Sequence, residues 1–276
     1  MPAVALTIAG SDPSGGAGIQ ADLKTFHQFG VYGEAAITLL TVQNTRAVSR
    51  VEFLSADLVI QQIEAAIGDV PPGAAKTGAL GGVEVIEAVA ELAASFHFPL
   101  VVDPVMVSKH GAALIASDAV NCLKEKLLRR ALLVTPNLAE AEVLSGRRIA
   151  TEKEMVSAAQ RILEFGCQTV LVKGGHLAGE PVDVLVGGRE PLFLPGNRVQ
   201  TRHTHGTGCT YSAAITAGLA KGQGLEEAVQ SAKAFVQRAI ESAPGFGSGN
   251  GPVNHFAAME EVSTSARWDR LCHSRR

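Results

Sequence analysis

The strongest chemical signal in the sequence is a glycine-rich run, THGTGCT at residues 204–210, directly before an alanine-rich helical pattern. Glycines at this point let successive backbone N–H groups turn toward one anion, and the N-terminus of a helix adds about half a positive charge. Because positive potential stabilises a thiolate, we expect a lowered pKa for Cys209, which would then serve as a base. The alternative is that Cys209 is a small buried residue at a glycine turn.

A second glycine-rich run, GSDPSGGAG at residues 10–18, lies between a short apolar run and a helical pattern. It matches the dinucleotide fingerprint G-x-G-x-x-A at residues 16–21, but that fingerprint needs a carboxylate at the end of the next strand. The sequence has Val42-Gln43-Asn44 there. We therefore interpret the run as a backbone-lined pocket for a small polar substrate, with Asp22 on the helix behind it. A glycine turn without a ligand is the alternative.

Three further groups of polar residues each have a structural alternative. Asn137 and Glu140 have the spacing of a capping box, in which each side chain bonds the backbone of the other. Lys173, followed by two glycines, suits a phosphate contact, although a lysine that reaches out to water is equally ordinary. His203 and His205 could bind a metal, but no further ligands at metal-site spacing accompany them.

Composition and missing motifs exclude several classes of protein. The 276 residues are 46% hydrophobic with a net charge of −3, which excludes a disordered chain. Walker A, G-x-S-x-G and H-E-x-x-H motifs are absent from the sequence, so a P-loop enzyme, a serine hydrolase and a zincin are unsupported. Without basic clusters in the body, long apolar runs, a secretory leader or a C-x-x-C pair, we expect a cytoplasmic protein that binds neither nucleic acid nor membrane.

Short apolar runs alternate with amphipathic patterns along the whole chain, which predicts a mostly parallel sheet covered by helices. The predicted strands are Ala3–Ala9, Ala35–Val42, Val51–Leu54, Ala74–Leu80, Leu100–Val105, Ala131–Thr135, Thr169–Lys173 and a hairpin of Asp183–Val186 with Pro191–Leu194. The predicted helices are Gly18–Phe29, Asp57–Ile67, Val83–Phe96, Asp118–Leu128, Leu138–Leu144, Glu152–Phe165, Thr210–Ala220 and Leu225–Ser242. Ligand sites of such a sheet lie at the carboxyl ends of its strands. We expect one domain, residues 1–258, and a poorly ordered tail, residues 259–276.

Taken together and in this order, the motifs closely resemble the hydroxymethylpyrimidine/phosphomethylpyrimidine kinases of the ribokinase superfamily. The resemblance covers residues 3 to about 257. The motifs that carry it are GSDPSGGAGIQAD at 10–22, QNT at 43–45, TPN at 135–137, KGGH at 173–176, THGTGC at 204–209 and GPVNHF at 251–256. The first motif and the THGTGC motif are highly specific in combination.

This resemblance implies a three-layer α/β/α ribokinase-like fold with a mostly parallel central sheet. It implies transfer of the γ-phosphate of ATP, with Mg²⁺, to 4-amino-5-hydroxymethyl-2-methylpyrimidine and then to its monophosphate, in thiamine diphosphate biosynthesis, by a homodimer. The implied roles are Cys209 as general base; Gly206, Thr207 and Gly208 as anion hole; Asp22, Gln43 and Gly10 at the substrate; Lys173, Asn137, Thr207 and Lys233 at ATP; and Asp103 and Glu140 at the metal.

Two alternatives to this function remain open. Some members of the family carry glutamate where this chain has Gln43, which leaves room for pyridoxal-type substrates and a pyridoxal/pyridoxine kinase on the same fold. A non-catalytic nucleotide-binding protein is the other alternative. The intact run from Gly206 to Cys209 disfavours it, because a protein without turnover has no need of a base there.

Overall fold

The computed structural model describes residues 1–108, 111–116, 118–177 and 179–258. The predicted tail, residues 259–276, lies outside the described residues. Nine strands occur in the described part of the chain: β1 Val4–Ser11, β2 Tyr32–Gln43, β3 Val48–Phe53, β4 Ala74–Thr77, β5 Leu100–Val102, β6 Leu133–Val134, β7 Thr169–Val172, β8 Val182–Gly187 and β9 Arg189–Pro195.

These strands form one sheet in the order β3-β2-β1-β4-β5-β6-β7-β8-β9. The pairings β2–β3, β7–β8 and β8–β9 are antiparallel, and every other neighbouring pair is parallel. The prediction of a mostly parallel sheet is therefore confirmed. The predicted hairpin is β8 and β9.

Helices cover both faces of the sheet. The described helices are α1 Gly18–Gln28, α2 Ala56–Asp69, α3 Val83–Leu92, α4 Ala119–Cys122, α5 Leu138–Ser145, α6 Glu152–Leu163, α7 Thr207–Ala220 and α8 Leu225–Glu241. One core joins one face of the sheet to α1, α7 and α8, and a second core joins the other face to α2, α3, α5 and α6. Within β5, Val101 belongs to the first core whereas Leu100 and Val102 belong to the second. A strand that is buried on both faces needs apolar residues at successive positions, as β5 has.

Several element boundaries differ from the predicted ones. β5 ends at Val102 instead of Val105, because Pro104 has no N–H for the ladder. The predicted helix Asp118–Leu128 is regular only to Cys122 and continues as a π turn, Leu123–Leu127. A π turn pairs residues five apart, so it keeps Leu123 and Leu128 on the same buried face.

The parallel strands all end at one edge of the sheet, and polar residues follow them there. Asp12 lies just after β1, Gln43 ends β2, Asp103 follows β5, and Lys173 follows β7. Strand ends of this kind form the ligand-binding crevice of α/β proteins.

Candidate active site

The glycine-rich run at residues 204–210 forms the N-terminus of α7. Gly206 is the N-cap with a left-handed φ of 79°, and no side chain caps this helix end. The hydroxyl of Thr207 donates to the carbonyl of Thr204 at 2.8 Å. The helix begins three residues earlier than predicted, because the left-handed glycine turns the chain directly into it. Cys209 therefore lies in the first turn, where backbone N–H groups have no partner within the helix and can bind an anion.

The two glycine-rich runs pack directly against each other. A Cβ atom added to Gly206 would lie 1.7 Å from the carbonyl oxygen of Gly16. A Cβ on Gly18 would lie 2.2 Å from the carbonyl oxygen of Gly10. Glycine is thus required at both positions by close backbone approach as well as by positive φ.

We expect Gly206→Ala to lower the free energy of unfolding by about 2–5 kcal/mol, combining left-handed strain with the clash against Gly16. Displacement of the loop by about 1 Å would also reduce turnover by about 10²-fold. The matched control is Gly222→Ala, since Gly222 has a similar φ of 82° but no atom within 4 Å of the added Cβ. Urea unfolding and kcat measure the two effects. Equal losses in the two variants would contradict the packing argument.

The sulfur of Cys209 lies in a balance of opposing charges. The pKa of this thiol is raised to about 12, chiefly because the sulfur is buried. The carboxylates of Asp22 and Asp103 contribute to the rise, whereas the positive charge of Lys76 opposes it. The N–H of Gly18 donates to the sulfur and also opposes the rise. The expected lowering of this pKa is therefore wrong for the free site, because burial and two carboxylates outweigh the helix N-terminus.

A fully buried ion pair lies close to Cys209. Lys76 on β4 donates to Asp22 on α1 at 2.8 Å, both side chains are 0% exposed, and Thr7 donates to the other Asp22 oxygen at 2.6 Å. Asp22 was predicted to contact substrate, but the structure gives its carboxylate no exposed atom. Its carboxylate contacts Lys76 and Thr7, and its role at the substrate stays a prediction. Sequence reasoning missed Lys76, although a lysine inside the apolar run AAKTGAL at residues 74–80 is a recognisable signal.

A second ion pair lies on the other side of the loop. Lys173 donates to Asp103 at 3.0 Å, and the hydroxyls of Thr135 and Ser212 donate to the two oxygens of Asp103, each at 3.2 Å. A Cβ atom on Gly208 would lie 3.2 Å from the Lys173 ammonium. The Lys173 side chain is only 14% exposed, so this lysine does not reach out to water. It lies beside the anion-binding turn.

Asn137 and Glu140 form the predicted capping box at the start of α5. The Glu140 N–H donates to the Asn137 side chain at 3.0 Å, and the Asn137 N–H donates to the Glu140 carboxylate at 2.8 Å. Burial raises the pKa of Glu140 to about 7, with Lys173 opposing the shift and Asp103 adding to it. The structural interpretation is thus confirmed, and the same carboxylate also interacts electrostatically with Lys173 and Asp103.

A hydrogen-bonded network links the first glycine-rich run to Gln43. The two oxygens of Asp12 accept from the N–H groups of Ser14 and Ala17, each at 2.9 Å. Nε2 of His205 lies 2.7 Å from the Asp12 carboxylate and 3.1 Å from the Gln43 amide. Sequence reasoning missed Asp12 and considered His205 only as a metal ligand. No group of three or more His, Cys, Asp and Glu side chains that could hold a metal occurs within the described ranges.

Lys233 lies beside a small cavity next to the loop that follows β7. It donates to Asp183 at 2.6 Å, and the other Asp183 oxygen accepts from the Gly174 N–H at 2.9 Å. The cavity has a volume of about 340 Å³ and is lined by Leu194, Pro195, Gly196, Asn197, Gln230, Lys233, Ala234 and Gln237. That volume is within the range of small-molecule sites. Asp183 therefore connects this cavity to the loop that carries Lys173.

The GPVNHF motif packs against the start of α7. His255 is 6% exposed, and its Nε2 lies 3.1 Å from the hydroxyl of Thr210. Burial lowers the pKa of His255 to about 4, and the positive charges of Lys24 and His205 act in the same direction. The imidazole is therefore neutral at physiological pH and supports the helix turn behind Cys209.

This lowered pKa predicts a specific acid sensitivity. Unfolded His255 gains a proton below about pH 6.5 whereas the folded form does not, so stability falls as the pH drops from 6.5 toward 4. We expect the wild type to lose about 3 kcal/mol over this range relative to His255→Gln. His27→Gln, which changes an exposed histidine, should leave the curve unchanged. Parallel pH–stability curves for wild type and His255→Gln would contradict this account.

The fold and the site together identify the class of protein to which this chain belongs. A mostly parallel α/β/α sandwich carries an amide-lined turn at a helix N-terminus, flanked by two lysine–carboxylate pairs, and has the fold of the ribokinase-like small-molecule kinases. Among the described residues, no helix combines the length and the apolar character that a bilayer crossing requires. The family model for phosphomethylpyrimidine kinase matches residues 12–254. The chain belongs to the phosphomethylpyrimidine kinase family.

Individual relatives agree with this membership. The hydroxymethylpyrimidine/phosphomethylpyrimidine kinase of Rhizobium meliloti is 52% identical over 260 residues, covering 93% of this chain and 98% of the relative. A phosphomethylpyrimidine kinase structure from Clostridium difficile has a TM-score of 0.77 and 43% identity, covering 86% of this chain and 99% of that one. The structure of the pyridoxal kinase from Staphylococcus aureus in complex with ADP has a TM-score of 0.86 and 40% identity, and the match covers 93% of this chain and 94% of that one.

Proposed function

We propose that this enzyme transfers the γ-phosphate of ATP to 4-amino-5-hydroxymethyl-2-methylpyrimidine and then to the resulting monophosphate, in thiamine diphosphate biosynthesis. The observation that carries the proposal is the turn from Gly206 to Cys209, whose first-turn amides and sulfur lie between Lys76 and Lys173. Aligned donors and fixed charges are the main protein contribution to phosphoryl transfer. The names of the curated relatives support the choice of acceptor.

The substrate ring is assigned to the region between the first glycine-rich run and β2. A Cβ atom added to Gly10 would lie 2.5 Å from the Leu39 side chain, so the close approach of β2 leaves no room for a side chain at Gly10. Gln43 is partly exposed at the end of β2. Its amide both donates and accepts, which suits an aminopyrimidine edge. Asp22 contributes to this site indirectly, because its buried ion pair fixes the position of Lys76.

The nucleotide is assigned to the opposite side of the loop. Lys173 and Thr207 would contact the phosphates, and Asn137 fixes the start of α5 beside them. Lys233 borders the cavity of about 340 Å³, which suits part of a nucleoside. Solved relatives carry ADP or a non-hydrolysable ATP analogue, which supports ATP as the phosphate donor.

Asp103 and Glu140 fit a magnesium ion that arrives with the nucleotide. Mg²⁺ is commonly held by one or two carboxylates plus substrate phosphates, and Asp103 is close enough to Glu140 for its charge to contribute to the raised pKa of Glu140. When bound, Mg²⁺ would neutralise charge on the phosphate oxygens. The protein supplies the remaining charge stabilisation through Lys173 and the amides of the turn.

The sulfur of Cys209 would accept the proton of the substrate hydroxymethyl group. Its pKa of about 12 means that the thiolate is uncommon in the free enzyme but strongly basic. Lys76 is the buried cation that favours this thiolate. In the second reaction the acceptor is already a phosphate, so we expect the base to matter less.

The remaining features of the proposal concern the whole protein. We propose a cytoplasmic homodimer that binds no nucleic acid and no membrane, with residues 1–258 forming the catalytic domain. The net charge of −3 and the absence of basic clusters from the body of the sequence support the proposal that the protein binds no nucleic acid.

A coupled ADP-release assay with three acceptors tests the proposed function. We expect turnover with the hydroxymethylpyrimidine and with its monophosphate, and a lower kcat/KM with pyridoxal. The pyridoxal kinase structures at TM-scores of 0.85–0.86 favour pyridoxal phosphorylation as the second candidate. Turnover with pyridoxal alone would establish that alternative, and ADP release with none of the three would indicate a non-catalytic nucleotide-binding protein.

Lys173 provides a separate prediction for the nucleotide side. Lys173→Met removes the ammonium beside Gly208 and leaves Asp103 without its cation. We expect kcat/KM for ATP to fall by about 10²–10³-fold, the effect of losing one preorganised charge at a reacting phosphate. The control is Lys126→Met on the exposed surface. An unchanged kcat/KM for ATP in Lys173→Met would remove Lys173 from the phosphate site.

A further inference from the structure

The two neighbours of the Gln43 side chain determine which way its amide faces. One end of the amide lies 3.1 Å from Nε2 of His205, and the other end lies 3.5 Å from the hydroxyl of Thr41. An amide nitrogen and an amide oxygen have nearly the same shape. Their positions are therefore assigned from the donors and acceptors around them.

On the His205 side, the neighbour is a donor. Nε2 lies 2.7 Å from an oxygen of Asp12. Burial would raise the pKa of Asp12, but hydrogen bonds from His205 and Ser14 hold it below its ordinary value, so the carboxylate is ionised and only accepts. Nε2 therefore carries the proton and directs it to Asp12. An NH₂ group cannot donate to this nitrogen, whereas an amide oxygen at 3.1 Å can share its proton.

On the Thr41 side, the neighbour is an acceptor. The hydroxyl of Thr41 has one proton and donates it to the carbonyl of Ser11 at 2.9 Å. Its remaining capacity is two lone pairs, which accept from an N–H. Thr41 and His205 thus lead independently to the same orientation, with the amide oxygen of Gln43 at His205 and the nitrogen at Thr41.

We infer that Asp12, His205 and Thr41 are positioning residues that fix the order in which Gln43 presents one acceptor and one donor to the substrate. The free edge of the amide then offers an oxygen lone pair on the His205 side and an N–H on the Thr41 side. A ring with a nitrogen acceptor next to an exocyclic amino donor matches both groups. Pyridoxal has no amino group beside its ring nitrogen and satisfies only one of them. The inference rests on the proposed function and adds the basis of its ring specificity.

Neutron diffraction from deuterated protein shows the orientation directly. We expect the ND₂ group of Gln43 to face Thr41 and a deuteron to lie on Nε2 of His205, directed at Asp12. An ND₂ group facing His205 would overturn the inference. The orientation of the amide is measured without turnover, so this experiment tests the inference even if the enzyme phosphorylates neither substrate.

Kinetics tests the consequence for specificity. Asp12→Asn allows Nε2 of His205 to become an acceptor, so the amide can reverse. We expect the ratio of kcat/KM for the aminopyrimidine to kcat/KM for pyridoxal to fall about 2- to 10-fold, the worth of one net hydrogen bond. Most of the change should lie in the KM of the aminopyrimidine, and the KM of ATP should stay constant.

A second pair of variants controls for damage to the loop that Asp12 folds. Thr41→Val removes the acceptor for the Gln43 N–H, and Thr41→Ser retains it. We expect Thr41→Val to lower the same ratio and Thr41→Ser to restore it, with equal melting temperatures. An unchanged ratio in both Asp12→Asn and Thr41→Val would overturn the specificity role. Failure of wild type with the pyrimidine in the ADP-release assay would instead count against the proposed function.

Discussion

Cys209→Ala should reduce kcat/KM for the hydroxymethylpyrimidine by about 10²–10⁴-fold, the usual contribution of a general base. The sulfur lies in the first turn of α7, where the amide-lined turn, Lys76 and Asp103 converge. For the monophosphate we expect a loss below about 10-fold, because that acceptor needs little or no deprotonation. The two half-reactions are measured separately with purified acceptors.

The control for this substitution is Cys122→Ala, which changes a partly exposed cysteine on α4. Its kcat/KM should equal that of the wild type with both acceptors. Equal losses for the two acceptors in Cys209→Ala would contradict the role of the sulfur as a base. Such a result would instead indicate that the cysteine only shapes the turn.

Lys76→Met should lower the free energy of unfolding by about 3–5 kcal/mol, the cost of leaving one partner of a buried ion pair uncompensated. Asp22 is fully buried, and burial already raises its pKa against the opposing charge of Lys76. A carboxyl with a raised folded pKa binds its proton more readily when folded. The destabilisation in Lys76→Met should therefore grow as the pH rises above about 4 and shrink in more acidic solution. Urea unfolding at several pH values measures this dependence.

Two further variants separate the charge effect from loss of packing. The double variant Lys76→Met with Asp22→Leu removes both charges, and it should recover much of the lost stability without recovering activity. Lys126→Met on the surface should change stability by less than about 0.5 kcal/mol. If the double variant were as unstable as Lys76→Met at every pH, the uncompensated carboxylate would not be the cause.

Much of the fold was predictable because burial on both faces leaves a simple pattern. β5 and β7 are short apolar runs whose alternate residues enter two different cores, and each is followed at once by a polar site residue. Capping chemistry is equally local, so the Asn137–Glu140 box could be recognised from spacing alone. The start of α7 was misplaced because a left-handed N-cap at Gly206 is not visible in hydrophobic periodicity.

The electrostatics of the site could not be predicted in the same way. Lys76 and Asp22 are 54 residues apart, and Asp12 and His205 are 193 apart, so neither pair has a local signal. The expected pKa of Cys209 had the wrong direction because the helix N-terminus was recognised, whereas burial and the two carboxylates were not. Charge balance at a buried site depends on every element that packs there, and only the three-dimensional structure brings those elements together.

A crystal structure with the hydroxymethylpyrimidine and a non-hydrolysable ATP analogue tests the central claim most directly. The account predicts the terminal phosphate against the first-turn amides of α7, and the substrate hydroxyl within about 3.5 Å of the Cys209 sulfur. A terminal phosphate bound away from residues 206–209, or a hydroxyl turned from that sulfur with another base beside it, would contradict the account.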